Sequence, residues 1–248
     1  MFVHELKLSE LPKNMEMTYP FGVFAVQEIL RSGGLRFERP VTFLSGDNGT
    51  GKSTILEAIA AVYGINPEGG SQNFNFHTVD SHSNLYEFIR LVRKGSLPKT
   101  KFFLRSETYY NVASELEELA RDPMEGDLAF ASYGGKSLHT RSHGEGLLSI
   151  IENRFGKDGF YLLDEPEAGL ATSRQYALLQ EIHRLVQAGS QLIIATHSPI
   201  LMAYPDATIY QFSEEGLEVL PLEETTAFKE TKLFYDDPKR MLHYLLYQ

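Results

Sequence analysis

Residues 46–54 read Gly-Asp-Asn-Gly-Thr-Gly-Lys-Ser-Thr and fill the four defined positions of a phosphate-binding loop. Glycines at this spacing let consecutive backbone N–H groups turn inward around a polyphosphate, and the helix that follows adds its positive N-terminus. Lys52 can reach the β- and γ-phosphates, and the hydroxyl of Ser53 can ligate Mg²⁺. A strand-like run at 41–44 precedes the loop and a helix-like run at 55–61 follows it. The loop therefore predicts a nucleotide-binding α/β core.

A second motif, Phe-Tyr-Leu-Leu-Asp-Glu-Pro-Glu at 160–167, is an apolar strand that ends in adjacent carboxylates. Ligands of open α/β sheets sit at the carboxyl ends of the strands. We therefore expect Asp164 to hold Mg²⁺ together with Ser53, and Glu165 to polarise an attacking water. The ordinary alternative is a strand end that carries two solvated acids.

A third motif, Gln-Leu-Ile-Ile-Ala-Thr-His-Ser-Pro at 191–199, is another buried strand followed by a Ser-Pro helix start. His197 stands at the end of this strand, at the edge where the acids are expected, and could contact a γ-phosphate. A structural or capping histidine is the alternative.

A fourth motif, Arg-Ser-His-Gly-Glu-Gly at 141–146, precedes a helix. Ser and Gly in this place usually form only a cap, but a hydroxyl and free N–H groups at a helix N-terminus also make a second anion site. One chain cannot readily direct both anion sites at a single triphosphate. We therefore hypothesise that two chains lie head to tail, each completing the other's site.

The order of predicted elements sets the fold class. Buried apolar strands alternate with helices, which predicts an α/β fold with a mainly parallel sheet flanked by helices. The 248 residues suffice for one domain over 1–248, and the pattern breaks from about residue 65 to residue 121. We interpret this break as a small inserted helical lobe at 65–121, with the core at 1–64 and 122–248. Within the lobe we predict a helix at 85–92, a strand at 101–105 and a helix at 109–119.

The composition excludes some kinds of site and disfavours some classes of protein. The chain has no cysteine, which excludes disulfides, thiol catalysis and cysteine metal sites. Its net charge of −10 disfavours a protein that coats nucleic acid, although a local basic groove stays open. No apolar run approaches the roughly 18 residues of a membrane span, and the N-terminus lacks the layout of a signal peptide. We expect a cytoplasmic protein without a membrane partner.

The four motifs occur in the order phosphate loop, Ser-His-Gly-Glu, Leu-Leu-Asp-Glu-Pro-Glu and Ala-Thr-His-Ser-Pro. In this order the chain resembles the ABC-type ATPases among the P-loop NTPases. Within them it is similar to small soluble bacterial AAA-family ATPases, which are related to the chromosome-maintenance and double-strand-break-repair ATPases. The resemblance covers nearly the whole chain, including the stretches 102–108 and 198–205.

The resemblance implies ATP and Mg²⁺ as cofactors and assigns roles to the motif residues. Ser53 and Asp164 would organise Mg²⁺, Glu165 would be the general base, and His197 the switch histidine, with Lys52 on the phosphates. The helix start at Ser142 would cap the nucleotide of a partner subunit. The residues implied in nucleotide binding are Gly46, Asp47, Asn48, Gly49, Thr50, Gly51, Lys52, Ser53, Thr54, Ser142, Gly144 and Glu145.

The chain also departs from the pattern of this class. Transporter-type members have Leu-Ser-Gly-Gly-Gln where this chain has Ser-His-Gly-Glu, so Glu145 replaces a neutral amide and His143 a glycine. The loop at 169–175 is unlike the usual Ser-Ala-Leu-Asp, which leaves communication between subunits open. No glutamine marks the hinge into the lobe, and Glu107 is the candidate there. No aromatic residue for stacking on adenine is evident, so ATP over GTP rests on the resemblance.

The leading hypothesis is an ATP hydrolase in which Mg-ATP closes a head-to-tail homodimer and hydrolysis reopens it, with a conformational change as the output. The alternative is a slow nucleotide-dependent switch that regulates a partner nuclease, toxin or DNA complex. A motor subunit of a membrane transporter is less favoured, because the transporter-type signature is missing. A small-molecule kinase is less favoured still, because the acidic pair suits hydrolysis rather than transfer.

Overall fold

A computed structural model describes residues 1–10, 18–70, 83–106 and 143–247 of the chain. The strands are β1 (Val3–Leu8), β2 (Leu35–Arg36), β3 (Val41–Gly46), β4 (Ile89–Arg93), β5 (Thr100–Arg105), β6 (Gly159–Asp164), β7 (Gln191–Ala195), β8 (Thr208–Ser213) and β9 (Gly216–Val219). The helices are α1 (Phe24–Ser32), α2 (Lys52–Tyr63), α3 (His143–Arg154), α4 (Thr172–Gln187), α5 (Pro199–Met202), α6 (Thr226–Asp236) and α7 (Pro238–Leu246).

The core is a six-stranded sheet with the order β5-β6-β7-β3-β8-β9. Neighbouring strands from β5 to β8 run parallel, and β9 closes the edge antiparallel to β8. Parallel strands need crossovers and bury both faces, so their sequences read as continuous apolar runs. The predicted α/β fold with a mainly parallel sheet flanked by helices is confirmed.

Two hydrophobic clusters cover the two faces of this sheet. On β6, Phe160 and Leu162 join the cluster that includes α1 and α2, whereas Tyr161 and Leu163 join the cluster of α3 and α4. Successive side chains of a strand point to opposite faces, so one apolar run supplies both clusters. The carboxyl ends of β3, β6 and β7 are thereby held at one rigid edge.

A second sheet, ordered β2-β1-β4, is antiparallel and packs beside the first. Gln191 at the start of β7 joins the two sheets. Its side-chain oxygen accepts hydrogen bonds from the backbone N–H groups of Phe2 at 2.7 Å and Val3 at 3.0 Å, and its amide donates to the Val3 carbonyl at 2.7 Å. Because Gln191 is fully buried, these bonds satisfy polar groups that water cannot reach.

The inserted lobe expected at 65–121 is corrected in its described part. β4 pairs with β1 and β5 pairs with β6, so residues 89–105 contribute strands to the two sheets of the core. The predicted helix at 85–92 is instead a 3₁₀ turn at Asn84–Phe88 followed by β4, whose residues alternate between buried and more exposed positions at its start. That alternation is the period of a strand. The helix predicted at 109–119 lies outside the described residues.

Over the same described ranges, no helix is long and apolar enough to cross a membrane.

Candidate nucleotide-binding site

The phosphate loop connects the end of β3 to the start of α2. Gly46, Gly49 and Gly51 all have positive φ, at 139°, 81° and 101°. A side chain added at Gly46 would lie 2.4 Å from the carbonyl oxygen of Phe212, and one at Gly51 would lie 2.1 Å from a methyl group of Val23. The positive φ and the short distances to neighbouring atoms therefore both require glycine at positions 46 and 51.

The side chain of Lys52 is buried within the loop that it follows. Its ammonium donates to the carbonyl oxygens of Gly46 at 2.7 Å and Asp47 at 2.8 Å. Burial lowers the pKa of Lys52, while the carboxylates of Glu165 and Asp164 act in the opposite direction. The positive charge thus lies between the loop and the acidic pair.

Ser53 and Asp164 meet across the sheet edge, as the motifs predict. The hydroxyl of Ser53 donates to Oδ1 of Asp164 at 3.0 Å. Burial raises the pKa of Asp164 to about 6, and the guanidinium of Arg105 works against that rise. A serine hydroxyl and a carboxylate are the hard oxygen ligands that Mg²⁺ takes in nucleotide sites. Both residues could hold Mg²⁺.

Arg105 is a member of the site that the motifs do not indicate. It ends β5 in register with Asp164 on β6. Its Nε lies 3.6 Å from Oδ2 of Asp164, and its Nη1 lies 2.8 Å from Oε1 of Glu57 on α2. A cation therefore balances the buried acid, and only the pairing of β5 with β6 brings it there.

Glu165 has an unusual backbone conformation. Its φ is 48°, in the left-handed region that residues other than glycine rarely adopt. Its N–H donates to the carbonyl of Ala195 at 2.9 Å, and its carbonyl accepts from the hydroxyl of Ser106. These bonds hold the strained residue at the sheet edge, with its side chain 44% exposed.

His197 faces the side chain of Glu165. Its Nε2 lies 3.6 Å from Oε1 of Glu165, which is too long for a hydrogen bond. This Nε2 is buried and has no hydrogen-bond partner among the described residues. The two side chains thus lie next to each other at the same edge as the phosphate loop.

Glu167 is the second residue that motif reasoning missed. Its Oε1 accepts hydrogen bonds from the hydroxyl of Thr196 and from the backbone N–H of His197, both at 2.7 Å. The sequence did contain a signal for this contact. Glu167 is the third acid of Asp-Glu-Pro-Glu, and the motif at 191–199 carries a threonine-histidine pair. Only the adjacency of β6 and β7 joins them.

The fourth motif begins α3 and lies beside the start of α4. Gly144 is buried, and a side chain there would lie 2.6 Å from Leu170. Glu145 is exposed and forms an ion pair with Arg174 at 3.2 Å. Ser142 and Glu107 lie outside the described residues, so their expected roles stay predictions.

A pocket of about 200 Å³ adjoins the phosphate loop, and its lining residues are Ser45, Gly46, Asp47, His197, Thr226, Ala227, Glu230 and Thr231. Within the described ranges, no group of three or more His, Asp or Glu could hold a metal ion. A Mg²⁺ ion at Ser53 and Asp164 would therefore take its remaining ligands from phosphate and water, as Mg²⁺ commonly does in nucleotide sites.

A family model described as an AAA domain matches residues 21–191, which is more than half of the chain. The match includes the phosphate loop and the acidic strand end.

Two curated relatives match the chain at 25% identity each. The chain is 25% identical over 236 residues to the macrolide export ATP-binding/permease protein MacB of Bdellovibrio bacteriovorus, a match that covers 87% of the chain and 35% of that protein. It is 25% identical over 177 residues to ABC transporter G family member 22 of Arabidopsis thaliana, covering 64% and 23% respectively. The chain thus spans about a third or less of these relatives.

Solved structures similar to the chain include CbiO1 of Clostridium perfringens, with 20% identity, a TM-score of 0.46, and coverage of 98% of this chain and 99% of that one. The SMC head domain of Thermotoga maritima has 16% identity, a TM-score of 0.46, and coverage of 89% and 99%.

Proposed function

The chain belongs to the AAA domain family, and from the geometry of its site we propose that it binds Mg-ATP and hydrolyses it. The observation that carries the proposal is the 3.0 Å contact between Ser53 and Asp164. It joins the phosphate loop to a strand end that also carries Glu165. A loop suited to phosphates, two oxygen ligands for Mg²⁺ and an exposed carboxylate beside them together match the needs of phosphoanhydride hydrolysis.

Each group has a defined task in this proposal. The N–H groups of residues 46–54 and the start of α2 hold the phosphates, and Lys52 turns from its two carbonyl partners towards them. Ser53 and Asp164 would hold Mg²⁺, which would neutralise charge on the phosphate oxygens. Glu165 accepts a proton from the attacking water, and the exposure of its side chain gives water access.

His197 completes the proposed site from the adjacent strand. Its buried Nε2 has no partner among the described residues and faces Glu165 across 3.6 Å. A phosphate oxygen within hydrogen-bond reach of Nε2 would give the imidazole an acceptor, and its loss on hydrolysis would remove that contact. His197 is thereby suited to sense whether the γ-phosphate is present.

The proposed working unit is a head-to-tail homodimer with ATP between the subunits. Ser142, Gly144 and Glu145 would contribute from the partner, since the start of α3 offers N–H groups to an anion.

A chain without cysteine suits the cytoplasm, where we place the protein.

The test is steady-state phosphate release together with light scattering. Wild-type protein should release phosphate from Mg-ATP, and Lys52→Ala should abolish nucleotide binding. Glu165→Gln should retain binding, lose hydrolysis and accumulate as a dimer in Mg-ATP. A monomeric Glu165→Gln variant in saturating Mg-ATP would refute the dimer, and absence of Mg-dependent binding by the wild type would refute the proposal as a whole.

A slow nucleotide-dependent switch is the second candidate, and Glu145 supports it. This residue puts an exposed carboxylate, which forms an ion pair with Arg174, at the helix start that would meet a partner's triphosphate. Like charges oppose that approach, which would slow dimer closure. Steady turnover by the isolated protein would favour the hydrolase. Negligible turnover that rises when DNA or a protein partner is added would favour the switch.

A further inference from the structure

Glu167 occupies a place between the two loops that carry Glu165 and His197. It follows the general base by two residues and belongs to the loop after β6, whereas His197 belongs to the loop after β7. Both hydrogen bonds to its Oε1 come from the second loop, from the Thr196 hydroxyl and the His197 N–H at 2.7 Å each. A hydrogen bond to a carboxylate is shorter and stronger than one between neutral groups.

These two bonds belong to a longer network that sets the path of the His197 loop. The hydroxyl of Thr196 also accepts from the N–H of Ser198 at 3.0 Å. The hydroxyl of Ser198 donates to Gln175 on α4 at 2.7 Å and accepts from the N–H of Leu201 at 3.2 Å. Thr196 and Ser198 are both buried, so water has little access to replace these hydrogen bonds if they are lost. Among the described residues of this network, Glu167 alone is charged.

The bond from Glu167 to His197 acts on the backbone N–H and does not involve the imidazole. The ring Nε2 has no partner among the described residues, so the backbone determines where it points. Glu165 is anchored in turn by its N–H bond to Ala195, two residues before His197. The two regions therefore position each other: Glu167 holds the loop after β7, and Ala195 at the end of β7 holds Glu165.

We infer that Glu167 is a positioning residue that clamps the His197 loop against the general base through its two hydrogen bonds to Thr196 and His197. The inference rests on the proposed hydrolysis of ATP for its catalytic consequence, and on the bonds alone for its structural one. Misplacement of a catalytic group by about 1 Å can cost on the order of 100-fold in rate.

The rate test uses Glu167→Ala, Glu167→Met and Glu167→Gln. Alanine and methionine remove the acceptor, and methionine keeps most of the volume. We expect kcat to fall by about 10- to 100-fold in both, with KM for Mg-ATP within about 3-fold, because the phosphate loop is untouched. Glutamine keeps an oxygen acceptor and should restore kcat to within about 3-fold of wild type. Glu218→Ala, an exposed change on β9, is the matched control and should leave kcat unaltered.

A double-mutant cycle shows whether Glu167 acts through His197. If it does, Glu167→Ala should slow the wild type but add little to the defect of His197→Ala. Additive losses would overturn the inference and leave Glu167 a residue of general stability.

Amide hydrogen exchange tests the clamp without any hydrolysis. In the nucleotide-free protein the N–H of His197 should exchange at least about 10-fold faster in Glu167→Ala and Glu167→Met than in the wild type or Glu167→Gln. Unchanged exchange would overturn the clamp even in an active enzyme, and faster exchange with an unchanged kcat would overturn its catalytic role. A wild type that neither binds nor hydrolyses ATP would refute the proposed function, and the exchange measurement would still decide the clamp.

Discussion

Replacing Asp164 with asparagine should stabilise the nucleotide-free protein at pH 7 while removing a ligand for Mg²⁺. Folding raises the pKa of Asp164 from 3.8 to about 6, because burial disfavours its ionised form more than Arg105 and Ser53 favour it. At about 1.4 kcal/mol for each pH unit, keeping this carboxylate ionised at pH 7 costs up to about 3 kcal/mol. Asparagine is neutral and nearly isosteric, and its oxygen can still accept from Ser53.

The variant forfeits the attraction between Asp164 and Arg105, but Arg105 keeps its ion pair with Glu57 at 2.8 Å. We therefore expect the free energy of unfolding to rise by about 1–3 kcal/mol, which for a chain of this length raises Tm by about 2–12 °C.

The pH dependence follows from the direction of the pKa change. The folded protein binds more protons at Asp164 than the unfolded chain does between about pH 4 and pH 6. The stability from this group is therefore fully present below the unfolded pKa of 3.8 and is lost as the pH rises through the folded pKa of about 6. The advantage of Asp164→Asn should be largest at pH 7, about half as large at pH 5 and small near pH 4.

The assay is urea unfolding of wild type and variant from pH 4.5 to pH 7.5 in EDTA without nucleotide. The control is Asp236→Asn, an exposed partner of Lys232 on α6, which should change stability by less than about 0.5 kcal/mol at every pH. If Asp164→Asn is no more stable than wild type at pH 7, or if its advantage is the same at pH 5 and pH 7, the reasoning from burial is wrong.

Two further substitutions test packing. Gly46→Ala should destabilise the protein more than Gly49→Ala, by about 2 kcal/mol or more in urea unfolding. The new side chain at Gly46 would lie 2.4 Å from the Phe212 carbonyl oxygen, whereas among the described residues nothing lies within 4 Å of one added at Gly49. Equal losses would contradict the steric argument. Gln191→Leu should cost about 2–4 kcal/mol, since it removes three buried hydrogen bonds to the chain start, two of them to Val3; a loss below about 1 kcal/mol would show that the bonds between the two sheets contribute little.

The phosphate loop could be predicted from sequence because its requirements are local. Gly46 and Gly51 have positive φ and contact neighbouring groups closely, and both constraints leave glycine as the only suitable residue. The pairing of Ser53 with Asp164 was also accessible, since the carboxyl ends of parallel strands meet at one edge. The family indicated by the four ordered motifs is confirmed by the match to the AAA domain.

Residues 84–105 illustrate what the pattern could not decide. A short run with Ile89 and Leu91 buried suits either a helix turn or a strand, and its partner β1 lies more than 80 residues earlier in the chain. β5 likewise pairs with β6 across a long connection. Such pairings depend on the order of strands in the sheet, and the spacing of hydrophobic residues along one segment does not reveal that order.

The amino-acid sequence by itself determined the loop at 46–54, the acids at the end of β6 and the histidine after β7, because each is specified by neighbours along the chain. The tertiary structure alone decided that Arg105 balances Asp164, that Glu167 accepts from the His197 loop and that Gln191 joins the sheets. Each of these contacts crosses from one strand or sheet to another. A side chain's partners across a fold depend on which strands become neighbours, and that adjacency is set when the whole core packs.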